Sequence, residues 1–328
     1  MTHVDVSIIG AGVAGLCMAS EITKRGGKVQ LYDREPQIGK HACSWWAGGM
    51  LAPFCEGEAA PEPVVRLGQE AADWWDAHTD CVTRNGSLVL ALGRDTSELK
   101  RFARRTSNHT PVSADDITQL EPDLEGRFNT GLYFATEAHL DPRRALTTLA
   151  DKLRAKGVTI KTTATAPAQT VNRIDCRGLS AQDALKDLRG VKGEMLVLKC
   201  PDINLSRSIR LLHPRIPIYI VPRGKGIFML GATMIESSDR DRITVRSMLE
   251  LLTAAFALHP AFGEAEVLEI GVDARPAFPD NQPRIRQQGC TIYANGLYRH
   301  GFLLAPAMAR MTADFLFEGK RPEVMDAD

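Results

Sequence analysis

A glycine-rich turn near the start of the chain constrains the fold more than any other feature. Gly10, Gly12 and Gly15 form the pattern Gly-x-Gly-x-x-Gly directly after an apolar run that ends at Ile9. Between a strand and a helix, this pattern is typical of a dinucleotide site. The first glycine permits a tight turn, the second lets the backbone approach the pyrophosphate, and the third lets the helix pack on the strand. The N–H groups that open the helix then face the phosphates.

The residues around the turn complete a βαβ unit. The pattern predicts a strand over Val4–Ile9, a helix as far as Lys24 and a second strand over Lys28–Tyr32. Asp33 ends that strand, 18 positions after Gly15. Its carboxylate would accept hydrogen bonds from a ribose diol and repel a 2′-phosphate. These features fit NAD and FAD equally.

Three further features favour FAD. Ala19 extends the glycine pattern at a spacing common in FAD proteins. The stretch Ser44–Leu51 offers bare backbone where a chain must cross pyrophosphate and flavin. A late strand, Thr291–Ala294, leads into a helix from about Gly301, whose N-terminus would stabilise negative charge on a reduced flavin.

The rest of the chain predicts a second sheet. Turn-bounded apolar runs indicate an antiparallel meander, backed by a helix over Val245–Leu258. Its strands are predicted at Ser206–Leu212, Ile216–Val221 and Ile227–Leu230. We assign Val158–Thr163 and Val191–Leu198 to the first domain. The predicted fold class is α/β, with a Rossmann-type FAD-binding domain interleaved with an antiparallel-sheet substrate domain. The FAD-binding domain takes residues 1–84, 146–198 and 263–328, and the substrate-binding domain takes residues 85–145 and 199–262.

Composition excludes several other classes of protein. Forty basic and forty acidic residues give a net charge of 0, whereas nucleic-acid binders carry a basic excess. The sequence lacks an apolar run of the roughly 20 residues needed to span a membrane. The seven cysteines never occur as Cys-x-x-Cys, and the histidines form no metal-binding pattern. We therefore expect a cytoplasmic protein with a small-molecule substrate and neither a metal, a nucleic acid nor a membrane as partner.

A set of short segments, in this order along most of the chain, resembles a known family. The segments are the N-terminal glycine pattern, Ala47–Leu51, Val191–Glu194, Tyr219–Arg223, Gly231–Met234, Arg275–Pro276 and Arg299–Pro306. The family is that of the FAD-dependent glycine oxidases of the thiamine-biosynthesis type, within the D-amino-acid oxidase superfamily. The resemblance implies a D-amino-acid oxidase-like fold.

The resemblance also implies which residues contact FAD. With the glycines of the motif, the cofactor-binding residues are Gly10, Gly12, Val13, Ala14, Gly15, Asp33, Arg34, Cys43, Ser44, Gly48, Gly49, Met50, Leu297, Tyr298, Arg299, His300, Gly301, Phe302 and Leu303. A covalent link to the flavin would need a nearby cysteine, and residues Gly271–Pro283 contain none. We expect FAD to be bound noncovalently.

For the substrate, the resemblance implies a carboxylate clamp. Arg275 would grip the carboxylate, Tyr219 would donate a second hydrogen bond, and Met234 and Arg299 would line the pocket beside the flavin. A guanidinium suits this task because its planar fork fixes orientation as well as distance. Structural alternatives remain: a salt bridge for Arg275 and a backbone carbonyl partner for Tyr219. No general base is assigned, because a hydride can leave Cα of a neutral amine without one.

The implied reaction is oxidation of glycine to its imine, with O2 reduced to hydrogen peroxide. The imine would feed the thiazole of thiamine or hydrolyse to glyoxylate and ammonia. Three alternatives stay open. The protein could oxidise sarcosine, a D-amino acid or another amine. It could be a dehydrogenase that passes electrons to a carrier, or a non-catalytic flavin-binding subunit. A homo-oligomer fits the family.

Two features depart from the family pattern. The stretch Val158–Arg177 is shorter than usual in the superfamily, which would reduce the small sheet over the adenine. Trp45 and Trp46 replace smaller residues beside the flavin loop. They either narrow the pocket or pack in the core, and the sequence favours packing.

Overall fold

The structure is a computed structural model that describes residues 5–163 and 172–326. Part of the predicted short stretch over 158–177, and Val4 of the first predicted strand, lie outside the described residues. The helices in the described ranges are α1 Val13–Lys24, α2 Pro53–Glu56, α3 Glu62–Gly68, α4 Ala71–His78, α5 Thr96–Arg105, α6 Ala114–Leu120, α7 Pro142–Ala155, α8 Val245–Leu258 and α9 Gly301–Glu318.

The strands form three sheets. In chain order they are β1 Asp5–Ile9, β2 Lys28–Asp33, β3 Met50–Leu51, β4 Val82–Thr83, β5 Ser87–Ala91, β6 Thr110–Ser113, β7 Thr130–Phe134, β8 Ala138–Leu140, β9 Thr159–Thr162, β10 Asn172–Asp175, β11 Arg189–Lys199, β12 Ser208–Leu212, β13 Ile218–Gly224, β14 Ile227–Gly231, β15 Ile235–Glu236, β16 Glu266–Ala277, β17 Arg284–Gln288 and β18 Thr291–Asn295.

The first sheet holds the predicted βαβ unit. Its order is β17-β18-β10-β1-β2-β9, parallel except for the edge pair β17–β18. The turn before α1 has Gly10 at φ +98°, a region that favours glycine. After α1 the chain turns at Gly26, whose φ is +83°. The predicted parallel β1–β2 pair and the late strand that precedes α9 are both confirmed.

The second sheet has nine strands, in the order β15-β11-β14-β13-β12-β5-β7-β6, with β16 paired to β11. The three strands β12, β13 and β14 form the predicted antiparallel meander. One pair departs from the expected antiparallel arrangement, because β5 and β12 run parallel. The small third sheet, β3-β8-β4, is antiparallel.

The assignment of Val191–Leu198 to a strand of the first domain is wrong. These residues belong to β11, which pairs with β14 and β16 in the nine-stranded sheet. β16 lies in the same sheet although it falls within the predicted FAD-binding range. An apolar run shows that a strand is buried but not which sheet it joins. The domain boundaries themselves remain a prediction.

The two large sheets carry separate cores. Helices α1, α7 and α9 pack on the six-stranded sheet through side chains such as Leu16, Leu149 and Met308. The larger sheet packs against α6 and α8, through Ile117 and Leu251 among others. In the ranges 5–163 and 172–326, none of the helices is long and apolar enough to cross a membrane.

The glycine motif makes a stability prediction. A Cβ on Gly15 would lie 1.8 Å from the carbonyl oxygen of Gly10, whereas a Cβ on Gly12 would come no closer than 3.5 Å to Ser44 Oγ. Gly15→Ala should therefore lower the free energy of unfolding of the cofactor-free protein by roughly 2–3 kcal/mol, and Gly12→Ala by less than about 1 kcal/mol. Urea denaturation measures both. Equal losses in the two variants would contradict the packing role of Gly15.

Candidate active site

A cavity of about 460 Å³ lies between the six-stranded and nine-stranded sheets. It brings together almost all the predicted site residues. Those that line it are Gly10, Gly12, Val13, Ala14, Asp33, Arg34, Cys43, Ser44, Gly48, Gly49, Met50, Tyr219, Met234, Arg275, Leu297, Tyr298, Arg299, His300, Gly301, Phe302 and Leu303. Gly15 is the exception, since it packs α1 against the turn.

At one end of the cavity, Asp33 is fixed by its neighbours. Its Oδ2 accepts a hydrogen bond from the N–H of Ala11 at 2.6 Å, and its Oδ1 accepts one from the N–H of Glu35 at 3.1 Å. His41 Nε2 lies 2.9 Å from Oδ1. The carboxylate is buried and held at the end of β2, where the sequence places a ribose ligand.

Two helices begin at the cavity, and neither is capped by its own N-cap residue. The N-cap of α1 is Gly12, which has no side chain, and the N-cap of α9 is His300, whose side chain makes no capping hydrogen bond. Ser44 Oγ accepts the N–H of Val13 at 3.3 Å. Uncapped N-termini offer N–H donors and a positive dipole end to anionic groups. The residues present therefore fit FAD, with α1 facing its pyrophosphate and α9 available to the flavin.

A half-buried arginine, Arg223, holds the loop at Gly48. Arg223 donates to the carbonyl oxygens of Gly48 and Leu140, each at 2.7 Å. Burial lowers the pKa of Arg223 to about 10. Gly48 has no room for a side chain, because a Cβ there would lie 2.7 Å from the Tyr219 ring. Arg223 ends one of the segments that carry the family resemblance, but its role could not be predicted from the sequence.

Tyr219 on β13 and Arg275 on β16 lie at the other end of the cavity. The Tyr219 ring fits between two glycines, because a Cβ on Gly231 would lie 2.7 Å from its hydroxyl. Burial raises the pKa of Tyr219, although the charges of Arg275, Arg210 and Arg299 act in the opposite direction. The phenol is therefore protonated at neutral pH and can donate a hydrogen bond.

The Arg275 guanidinium is held by backbone alone. It lies over Gly193, where a Cβ would come within 2.3 Å of Nη2, and Nη1 donates to the Thr233 carbonyl oxygen at 3.1 Å. In the described part of the chain, no carboxylate lies within 4 Å of this group. The alternative of a structural salt bridge at Arg275 is therefore wrong.

Met234 and Arg299 also meet in the cavity. Arg299 Nη1 lies 3.7 Å from the Met234 sulfur, and the hydroxyl of Tyr298 lies 3.5 Å from the same atom. Met234 is 52% exposed, unlike a methionine that only fills a core. Both residues therefore line the cavity, and their contact with a substrate remains a prediction.

An acidic residue that sequence analysis missed organises this end of the cavity. Glu56 binds Arg210 Nη2 through Oε1 and Arg299 Nη2 through Oε2, both at 2.7 Å. His300 Nε2 lies 2.9 Å from Oε2. Burial acts to raise the pKa of Glu56, but Arg299, Arg210 and His300 outweigh it and the pKa lies well below its ordinary value. Burial lowers the pKa of His300, so the imidazole is neutral.

The only signal for Glu56 in the sequence is that an acidic residue ends the apolar stretch Met50–Cys55.

The ion pair of Arg240 and Asp273 was also not predicted from the sequence. Its charged atoms lie 2.5 Å apart, and both residues line the cavity. Arg240 also donates to the carbonyl oxygen of His41 at 3.1 Å. The pair thus connects the loop after β15 to the wall that carries Arg275.

The two tryptophans and Cys43 have different surroundings. The Arg143 guanidinium lies 5.0 Å from the Trp45 ring and 5.3 Å from the Trp46 ring. Trp46 also lines the cavity, so it both packs and takes up space there. Burial and the charge of Asp273 raise the pKa of Cys43 to about 12, so it is an unreactive thiol.

Comparison with known proteins agrees with this geometry. Residues 5–315 match the family of FAD dependent oxidoreductases. The chain belongs to this family. The predicted cofactor FAD, the predicted fold class and the family resemblance are confirmed.

The relatives cover nearly the whole chain. A Rhizobium etli protein that carries the name thiamine biosynthesis oxidoreductase ThiO is 52% identical over 97% of this chain and 98% of its own length. A glycine oxidase of Pseudomonas aeruginosa is 26% identical over 97% of this chain and 95% of its own. Among solved structures, glycine oxidase from Geobacillus kaustophilus superposes with a TM-score of 0.80 at 21% identity, covering 98% of this chain and 97% of that one.

A buried carboxylate behind Arg210 makes a pH prediction. Glu137 accepts the N–H of Cys55 at 2.8 Å, and burial raises its pKa to about 6. Because the unfolded carboxyl has a pKa of about 4.3, the folded state binds this proton more tightly and stability falls as pH rises from about 4 to 6. Glu137→Gln removes that loss. The free energy of unfolding of Glu137→Gln minus that of wild type should therefore be about 2 kcal/mol more positive at pH 8 than at pH 4.5.

Urea denaturation of both proteins at the two pH values checks this, since other titrating groups cancel in the difference. A difference that does not change with pH would contradict the assignment.

Proposed function

We propose that the protein oxidises glycine, or a similar small amine that carries one carboxylate, to the imine. The observation that carries the proposal is Arg275, a guanidinium in the cavity wall with carbonyl partners and, among the described residues, no carboxylate within 4 Å. The names of the relatives, ThiO and glycine oxidase, support the same substrate class.

Arg275 would bind the substrate carboxylate through two parallel N–H···O bonds, and Tyr219 would donate a third from its hydroxyl. Such bonds between ionised groups are short and directional, so they fix the orientation of Cα as well as its position. Holding the reacting carbon about 3–3.5 Å from its acceptor can account for several kcal/mol of the barrier. Bound FAD supplies the acceptor of the hydride.

The described residues around Arg299 offer the reaction little acid–base chemistry. His300, the histidine nearest Arg299, is neutral and its Nε2 is engaged with Glu56. The substrate amine therefore binds neutral, having lost its proton to solvent. Glycine then loses a hydride from Cα and a further proton from nitrogen, which leaves the imine, and O2 takes the two electrons with two protons to give hydrogen peroxide.

The imine has two fates in this proposal. It hydrolyses to glyoxylate and ammonia, or it is used to build the thiazole of thiamine. The name of the Rhizobium etli relative supports the second fate. Peroxide and glyoxylate are measured directly in air, and a thiazole-forming partner is needed to test the other route.

The first experiment is an anaerobic absorption spectrum of the flavin-loaded protein with and without glycine. We expect glycine to bleach the flavin and air to restore it with formation of peroxide. Bleaching by sarcosine or a D-amino acid but not by glycine would show that the substrate is that amine and not glycine. Turnover with a dye but without peroxide would indicate a dehydrogenase. A flavin that no amine bleaches would contradict the proposed activity.

Arg275→Ala tests the clamp. Loss of two charged hydrogen bonds should remove roughly 3 kcal/mol or more of transition-state binding, so kcat/KM for glycine should fall by about a hundredfold or more. Flavin content should stay normal. The matched control is Arg127→Ala. Arg127 lies outside the cavity and likewise donates hydrogen bonds to two backbone carbonyl oxygens, at 2.6 and 3.2 Å. Normal kcat/KM in Arg275→Ala would overturn the mechanism.

A further inference from the structure

Three guanidinium groups converge on the substrate end of the cavity. Arg275, Arg210 and Arg299 all line it, and all three act on the titration of Tyr219. Their environments differ. Arg275 donates to backbone carbonyls, whereas Arg210 and Arg299 share the carboxylate of Glu56. A second buried carboxylate, Glu137, lies near Arg210 and is ionised at neutral pH.

Arg275 and Arg299 reach the same short segment of chain. Arg275 Nη1 lies 3.1 Å from the carbonyl oxygen of Thr233, and Arg299 Nη1 lies 3.7 Å from the sulfur of the next residue, Met234. A substrate bound to Arg275 would therefore lie close to Arg299. Without a carboxylate partner, Arg299 would be a second binding group for anions.

We propose that Glu56 determines the charge of the substrate, because it occupies Arg299 and Arg210 and leaves Arg275, among these three groups, to bind one carboxylate. The inference rests on the proposed function and deepens it. The pocket thus accepts amines with a single carboxylate and rejects those with two.

The physical argument is one of desolvation. A second carboxylate that enters the cavity loses its hydration and must find a cation. Arg299 is already bound at 2.7 Å to Glu56, and the charge of Glu56 repels a second anion. A repulsive group of this kind gives specificity without improving affinity for the preferred substrate.

The test is Glu56→Gln, which keeps the size of the side chain and removes its charge. Iminodiacetate, a secondary amine with two carboxylates, is compared with glycine. We expect the ratio of kcat/KM for iminodiacetate to that for glycine to rise at least tenfold. The gain should disappear in the double variant Glu56→Gln/Arg299→Gln, because the freed guanidinium is then absent.

The matched control is Glu121→Gln. Glu121 is also a buried carboxylate paired with an arginine, since its Oε1 lies 2.8 Å from Arg207 Nε, and it does not line the cavity. Its ratio should equal that of wild type. The ratio in Glu56→Asp, which keeps the charge, should also stay close to the ratio in wild type. A ratio in flavin-loaded Glu56→Gln within twofold of wild type overturns the inference.

A binding measurement on the wild-type protein does not depend on turnover or on folding of the variant. Glycolate and tartronate differ by one carboxylate, and each is titrated against the flavin absorption of the loaded protein. We expect glycolate to bind at least tenfold more tightly. Equal affinities overturn the role of Glu56 even when Glu56→Gln fails to fold.

The two proposals fail in different ways. If no amine reduces the flavin but glycolate is still preferred over tartronate, the proposed oxidation is wrong and the charge selection stands. If glycine reduces the flavin while the two acids bind equally, the oxidation stands and Glu56 has no role in selection.

Discussion

The antiparallel pairing of β11 with β16 determines where the active site lies. It places Val191 opposite Arg275 and brings the arginine over Gly193. After β16 the chain leaves the large sheet and forms β17, β18 and α9 on the six-stranded sheet. One strand therefore carries Arg275, the proposed substrate clamp, and the chain that follows it builds the part of the cavity at the start of α9. A slip of one residue in this pair would turn Arg275 to the opposite face.

Local signals in the sequence were enough to predict the βαβ unit at the glycine motif, which the structure confirms. The strand, turn and helix around Gly10–Gly15 are determined by close contacts between neighbours in sequence, and the steric limits leave little freedom. The meander β12–β14 was predictable for a similar reason, because its turns are short and its strands follow one another. The positions of Arg275 and Tyr219 came from the family resemblance, since periodicity alone does not distinguish a clamp from a structural arginine.

The missed features depend on pairs of residues that are distant in sequence. Glu56 meets Arg210, 154 positions later, and His300, 244 positions later. Nothing in the sequence around Glu56 shows that these residues converge. The error over β11 has the same origin, because its partners β14 and β16 come after it in the chain. Long-range pairing of this kind is decided by the packing of whole sheets.

The order of strands in the six-stranded sheet has a consequence for biosynthesis. β1, the first strand of the described chain, pairs with β2 on one side and with β10 on the other, and β10 in turn pairs with β18. The helix α9, which completes the cavity, follows β18. A ribosome must therefore reach α9 before the FAD site is complete. Until α9 has been made, the cavity lacks Gly301, Phe302 and Leu303, so stable binding of the flavin is expected only after this helix has formed.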